Sequence, residues 1–437
     1  MNLLSLFRPV LLGAALLLAG AARAQQPDSV FADAPRETLD LASTPKFQLF
    51  DDAFYQNKVF LLGEVHGVQR LQDVDFALLR HLSQRAGVRR YLAEVDCGQA
   101  HYLNEYLRTG DEATLARVFA GWVRERAQWG NAEFAAKIRR IRALNQTLPA
   151  GRRIRFVGID GVQDFALLAD YCADLRATGR PLPPALASRL DSVQAALRTG
   201  PAQAAGLALR AQQALRQATP AARRALGSAY AEVDYALTNL GYARTLPSRE
   251  QQLFANYQAA QPLWHLAHEK LYGLWGLGHV PQQNGLNFKT LAAYIHQSSL
   301  PEHNQLVSIL STYVGCQVLM PSAALPAPWR TPGQPFTATD KFNHDGPLVR
   351  LLGIEALNAC TRPGSTTLVR LDAPGTAAHR LPVQLTYAPG LPASQQMRFD
   401  PAQPATAYVQ YLLLVRDSGP VQPLPTPAAA SGEAAAR

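Results

Sequence analysis

The chain has 437 residues, of which 48% are hydrophobic and 17% charged; this suits a large folded unit with a sizeable core and excludes a disordered or fibrous class. Lys and Arg number 42 against 33 Asp and Glu, a formal charge of +9, but the arginines are scattered rather than massed with aromatics, so no nucleic-acid partner is expected. The 4 cysteines, Cys97, Cys172, Cys316 and Cys360, lack Cys-x-x-Cys spacing, which excludes a zinc knuckle or a thioredoxin-type motif.

At the N-terminus, Arg8, the apolar run Val10 to Gly20 and the small-x-small triplet Ala22-Arg23-Ala24 predict a secretory signal over residues 1–24, with the mature chain starting at Gln25. Its removal takes Arg8 and Arg23 and no acid, leaving a charge of +7 (9 − 2). The run is too short to span a membrane, nothing later reaches that length, and no cysteine near the cleavage site offers a lipid anchor. A periplasmic or secreted protein is expected, in a compartment that permits one or two disulfides.

The first strand is Val59-Phe60-Leu61-Leu62, which runs into Gly63-Glu64-Val65-His66-Gly67. Leu71, Val74, Leu78, Leu79 and Leu82 then recur at helical spacing, Gly87 stops the helix, and Arg90 to Val95 reads as a second strand. The short crossover predicts that the two strands pair in parallel. Helical patterns follow over Leu103 to Val123 and Phe134 to Ile141, before a strand from Ile154 to Asp160. From Gly179 to Ala260 the chain is rich in Ala, Leu, Arg and Gln, is broken at Pro183-Pro184, Gly200-Pro201 and Pro220, and offers no strand; it reads as a helical insertion, either a cap over a crevice or a packing layer. A strand from Lys270 to His279, a helix around Phe288 to His296 and a strand Leu306 to Leu310 come next. Pro321 to Thr339 reads as a loop, Thr367 to Leu371 and Tyr411 to Val415 as closing strands, and residues 418–437 as a disordered Pro/Ala-rich tail. The expected architecture is α/β: one domain over 25–417 with a mostly parallel central sheet flanked by helices and the insertion at about 179–260.

Four of these apolar runs end in an acid or a histidine: Glu64 and His66, Glu94 and Asp96, Asp160, and His279. If the runs are neighbouring parallel strands, their ends share one crevice, where open α/β sheets place their chemistry. Glu64 and His66, two residues apart, would face the same side of a continuing strand, and the same holds for Glu94 and Asp96. A carboxylate emerging from an apolar strand needs a partner, a metal or water. Two mechanisms fit. In one, Glu64 or Glu94 is the general base on a water molecule and His66 or His279 polarises the substrate or protonates the leaving group. In the other, Glu64, His66 and His279 hold a divalent metal that lowers the pKa of bound water. No Gly-x-Ser-x-Gly elbow is present for a serine hydrolase. Cys97 reads as a packing residue, and His265 and His268, at i and i+3, as a secondary pair on an amphipathic helix.

Leu61-Leu62-Gly63-Glu64-Val65-His66-Gly67, Tyr91-Leu92-Ala93-Glu94, the segment Asn145 to Asp160 and Gly276-Leu277-Gly278-His279 together resemble the superfamily that joins erythromycin esterases, ChaN-type haem-binding lipoproteins and TIKI/TraB proteins, over about Phe47 to Val415. The resemblance implies an α/β fold with a helical insertion and a site built from Glu64, His66, Glu94 and His279, with Asp160 alongside. Its esterase branch implies water activated against a macrolactone ester, its TIKI branch metal-dependent peptide cleavage, and its ChaN branch haem binding without catalysis. The chain departs from the esterase pattern twice. One residue separates Glu64 from His66 where those esterases have two, and Gly276 stands where their His-Asn-x-His motif has its first histidine. The ChaN lipid-anchoring cysteine is also missing. An exported hydrolase of an ester or amide bond in a small-molecule or peptide substrate is the leading expectation, and a haem- or iron-binding protein the alternative.

Overall fold

The computed structural model describes residues 30–31, 33–177 and 179–425; the expected signal over 1–24 lies outside the described residues. An 8-stranded sheet organises the chain. In chain order its strands are β1 (Arg36–Thr38), β2 (Val59–Glu64), β3 (Arg90–Ala93), β4 (Arg155–Gly158), β5 (Leu271–Gly276), β6 (Leu306–Val314), β7 (Thr366–Arg370) and β8 (Tyr411–Arg416). Their spatial order is β1-β7-β8-β6-β2-β5-β3-β4. Neighbours from β8 to β4 all pair in parallel, while β7 runs antiparallel to both β8 and β1. Every residue of β2 and β5 is buried, the signature of central strands covered on both faces.

The order of strands explains why one end of the sheet carries the polar residues. The chain steps from β2 through β3 to the edge at β4, then returns to lay β5 between β2 and β3 and β6 on the far side of β2. Progress reverses around β2 and β5, the point beyond whose carboxyl ends open α/β sheets place their crevice. A short helix, α1 (Asp52–Gln56), precedes β2, and the first crossover is α2 (Gln69–Arg85), whose buried Leu71, Val74, Leu78, Leu79 and Leu82 form the expected apolar stripe. After β3 come α3 (Cys97–Thr109), α4 (Glu112–Arg124) and α5 (Ala132–Thr147), and α6 (Phe165–Ala177) follows β4.

Five helices form the insertion: α7 (Pro184–Thr199), α8 (Pro201–Gln217), α9 (Thr219–Leu226), α10 (Ala229–Thr245) and α11 (Arg249–Leu263). Proline stands in the first turn of α7, α8 and α9, where it lacks only a donor that has no partner anyway. The two inner helices are fastened to the end of β4. Tyr235 Oη of α10 donates to Gly158 O at 3.0 Å, Asn239 Nδ2 to Asp160 O at 2.8 Å, and Asn256 Nδ2 of α11 to Ile159 O at 2.9 Å.

Three expectations need correction. The stretch from Pro321 to Thr339 is not all loop, because Phe336–Thr339 pairs antiparallel with Val318–Pro321. Residues 418–425 are not disordered: Gly419 O accepts from Gln69 N at 3.0 Å, Ser418 Oγ from Arg70 N at 3.1 Å, and Gln422 O from Ala132 N at 2.8 Å. The tail thus caps α2, which has no side-chain cap of its own, and the start of α5, and composition alone cannot reveal such partners. His265 and His268 do not share a helix, since α11 ends at Leu263 and His265 adopts a left-handed φ of 54°. They precede β5, at the opposite end of that strand from the polar crevice.

Candidate active site

At the end of β2 the chain delivers Glu64 and His66 to the crevice. Glu64 is 1% exposed, and its Oε1 lies 3.0 Å from His66 Nδ1. Its Oε2 is buried without a hydrogen-bond partner. Burial pushes the Glu64 carboxyl up, and His66 only partly offsets this. Two groups hold the loop beyond Glu64: Val65 N donates to Tyr313 Oη at 2.9 Å, and Gln128 Nε2 to His66 O at 3.0 Å. Gly67 closes the turn at φ 97°, and a Cβ there would stand 2.5 Å from Leu319 O. The His66 ring packs on Trp129 with centroids 4.3 Å apart. Burial opposes a charge on His66, but Glu94 and Glu64 outweigh it and raise its pKa above 6.5.

Glu94, one residue past β3, is the hub. Its Oε2 accepts from Gly276 N at 2.7 Å; its Oε1 accepts from Arg249 Nη2 at 2.8 Å and lies 3.4 Å from His279 Nε2 and 3.8 Å from His66 Nε2. Burial would raise its pKa, yet the surrounding cations hold it far below the usual carboxylate range. Asp160 lies on the other side of Arg249, taking both Nε (3.0 Å) and Nη2 on its two oxygens, and it also accepts from Gly161 N and Gln163 Nε2.

His279 enters on the short turn Leu277–His279 after β5. Its Nδ1 is 2.6 Å from Glu250 Oε1, a charge contact out of line for a hydrogen bond. Its Nε2 faces Glu94 and, at 3.0 Å, Arg249 Nη1. A protonated ring donates to Glu94, whereas a neutral ring accepts from Arg249. Burial disfavours the charge, but Glu250 and Glu94 prevail and push the pKa up to about 9.

All five residues expected from the sequence, Glu64, His66, Glu94, Asp160 and His279, therefore meet in one cluster. Asp96 does not join it. It caps α3, accepting from Gln99 N at 2.8 Å, Gln163 N at 2.8 Å and Asp164 N at 3.0 Å, and burial raises its pKa to about 6. Cys97 is buried at the start of α3, which pushes its thiol well above the ordinary value and leaves it unreactive, and all 4 cysteines are unpaired. Sequence reasoning missed Arg249 and Glu250, the first two residues of α11. Their one signal is Ser248, a helix N-cap after Pro247, which marks a helix start without saying where it points.

Glu64, His66 and His279 do not fit a divalent metal as a ligand set. Nδ1 of His66 is committed to Glu64, Nε2 of His279 faces a guanidinium, and among the described residues no group of three His, Cys, Asp or Glu is placed to share an ion.

A family model described as erythromycin esterase matches residues 84–270. In the same fold, a Bacillus cereus protein superposes with a TM-score of 0.63 at 14% identity, covering 91% of this chain and 97% of its own. A variant of the erythromycin esterase EreC in its open conformation superposes at 0.60 and 17% identity, covering 88% and 98%. Over residues 84–270 the chain is similar to the erythromycin esterase family, and over most of its length it shares the fold of these structures. A succinoglycan biosynthesis protein shares the esterase-like fold at 0.59 and 16% identity, covering 92% and 99%. A comparison with curated protein sequences finds no match. The segment that matches the erythromycin esterase model contains Glu94, Asp160, Arg249 and Glu250 but not Glu64, His66, Gly276 or His279. It therefore excludes both motifs in which the chain departs from the esterase pattern.

Proposed function

We propose that this protein is an exported esterase-like hydrolase that cleaves an ester or amide bond of a small-molecule or peptide substrate by water attack, without a metal. The observation that carries this reading is the Glu64–His66 pair. Glu64 is sealed in the sheet and fixes Nδ1 at 3.0 Å, while the His66 side chain keeps 26% of its surface and turns Nε2 toward the crevice. That is the arrangement of an oriented imidazole base. His66 Nε2 takes a proton from water, whose oxygen attacks the carbonyl carbon. Arg249 and protonated His279 stabilise the resulting oxyanion, and the leaving alkoxide or amine departs with the proton from His66. Glu94 lowers the cost of the imidazolium that forms in between.

The test is turnover on a panel of ester, lactone and peptide substrates. His66→Ala is expected to lower kcat by roughly 10²-fold or more. Glu64→Gln is expected to cost less, because an amide oxygen still accepts from Nδ1. Activity is expected to survive a chelator. Equal turnover in both variants and the parent would overturn the reading, as would a Soret band at full occupancy in the purified protein.

A further inference from the structure

Beside the site lies a cavity of about 240 Å³. Leu310 of β6 and Leu412 of β8 are in its floor, and Leu385, Met397 and Phe399 are in the segment that roofs it. Its polar side chains are already engaged, apart from the exposed Gln395. Thr312 Oγ1 and His344 Nδ1 are 2.8 Å apart, and burial holds the His344 pKa down to about 4, so the ring is neutral. Tyr387 Oη donates to Met397 O at 2.9 Å, and Ser311 Oγ donates to Gly63 O. Beyond the exposed Gln395 amide and the second ring nitrogen of His344 the walls offer no charge and no free side-chain donor, so an ionic ligand would lose most of its water here without replacement.

Two of the lining residues belong to the frame of the active site. Ser311 hydrogen-bonds the carbonyl of Gly63, the neighbour of Glu64, and Leu277 opens the turn that carries His279. The roof is tied to the loop after that turn, where Asn287 Nδ2 donates to Gln396 O at 2.8 Å and Leu286 N to Arg398 O at 2.7 Å. Leu286 is 56% exposed, a large apolar side chain left in water beside this roof. A cavity of about 150 Å³ walled by Leu, Ile and Phe is enough to take benzene, so this one accepts a longer apolar group.

We propose that the cavity binds the aliphatic acyl chain of the substrate, which makes the protein selective for medium- to long-chain esters or amides. This proposal rests on the hydrolase reading above, and a binding assay separates the two. In the full chain, cis-parinaric acid fluorescence with displacement by dodecanoate reads binding. Turnover of p-nitrophenyl acetate, hexanoate and dodecanoate reads selectivity. Parent protein and Glu94→Gln are expected to bind dodecanoate alike, with affinity across shorter acids rising roughly fourfold per buried methylene. Val383 is a buried wall residue of the cavity, and Val383→Trp, which fills it, is expected to abolish binding and raise KM for the dodecanoyl ester while leaving acetyl ester turnover unchanged. Leu391→Trp, on the half-buried rim, serves if Val383→Trp does not fold. Absence of displacement in the parent, or unchanged affinity and chain-length preference in the folded variant, overturns the proposal. Binding lost in the variant, in a protein that turns over no ester, supports the cavity's ligand class and overturns the hydrolase reading.

Discussion

Gly276 and His66 occupy one space. A Cβ on residue 276 would stand 3.0 Å from His66 Nε2. The glycine at 276 and the one-residue spacing from Glu64 to His66 therefore act together, because the glycine leaves open the spot beside His66 Nε2. Gly276→Ala is expected to push the ring by a few tenths of an ångström and lower kcat by roughly tenfold, less than the ~10²-fold of a full ångström's misplacement, with the thermal midpoint nearly unchanged. The proposed roles also fix a pH profile. Activity needs His66 neutral and His279 charged, so kcat/KM is expected to rise through a pKa above 6.5 and fall again near 9. A flat profile across that range would remove both assignments. The sequence made Glu64, His66, Glu94, Asp160 and His279 legible because each ends an apolar run, and strand ends converge by topology. Arg249 and Glu250 were illegible because the first turn of their helix, Arg249 to Gln252, is polar on every side, and nothing local says which of these residues turns inward.

At the scale of elements, the central parallel strands were legible from their unbroken apolar runs, since burial on both faces leaves no alternation. The short pairings were not: Arg36–Thr38 takes its order from Thr367–Val369 near the other end of the fold, and Phe336–Thr339 from Val318–Pro321 across an intervening proline-rich stretch. Residues 418–425 make the same point for the helices. Val421 N donates to Gly67 O and Leu424 N to Gly130 O, at 3.0 and 2.8 Å, so this segment braces both the turn behind His66 and the turn that follows Trp129. Truncation after Asp417 is expected to cost about 3 kcal/mol or more, at ~1 kcal/mol net per hydrogen bond lost. It should also lower kcat by loosening His66. Calorimetry and turnover on the same preparation check this, and a truncated protein with unaltered melting would show that the brace carries no load.

Across the whole molecule, the cluster links stability to pH. The folded pKa of His279 lies near 9, above its ordinary value of 6.5, so the folded state binds a proton that the unfolded chain gives up between those values. Its contribution is complete below 6.5 and is lost as pH rises through about 9. Glu94 is shifted the other way, so its contribution is complete above its ordinary value of 4.5 and fades as acid reaches its folded pKa. The difference in melting temperature between the parent and His279→Asn is therefore expected to be largest below pH 6.5 and to shrink toward pH 9. A difference independent of pH would mean that His279 is neutral in the fold.

The order of strands also sets a timetable. β2 lies between β5 and β6, whose residues begin at Leu271 and Leu306, and the turn beyond β2 is braced by Val421. While the chain is being made, the Glu64–His66 strand has no neighbour until β5 begins at Leu271, 205 residues beyond His66 (271 − 66), and lacks the second until β6 begins at Leu306. The pocket of charge cannot close on a growing chain: a fragment that ends before Leu271 holds Glu64 without the strand that buries it, and His66 meets His279 only late in synthesis.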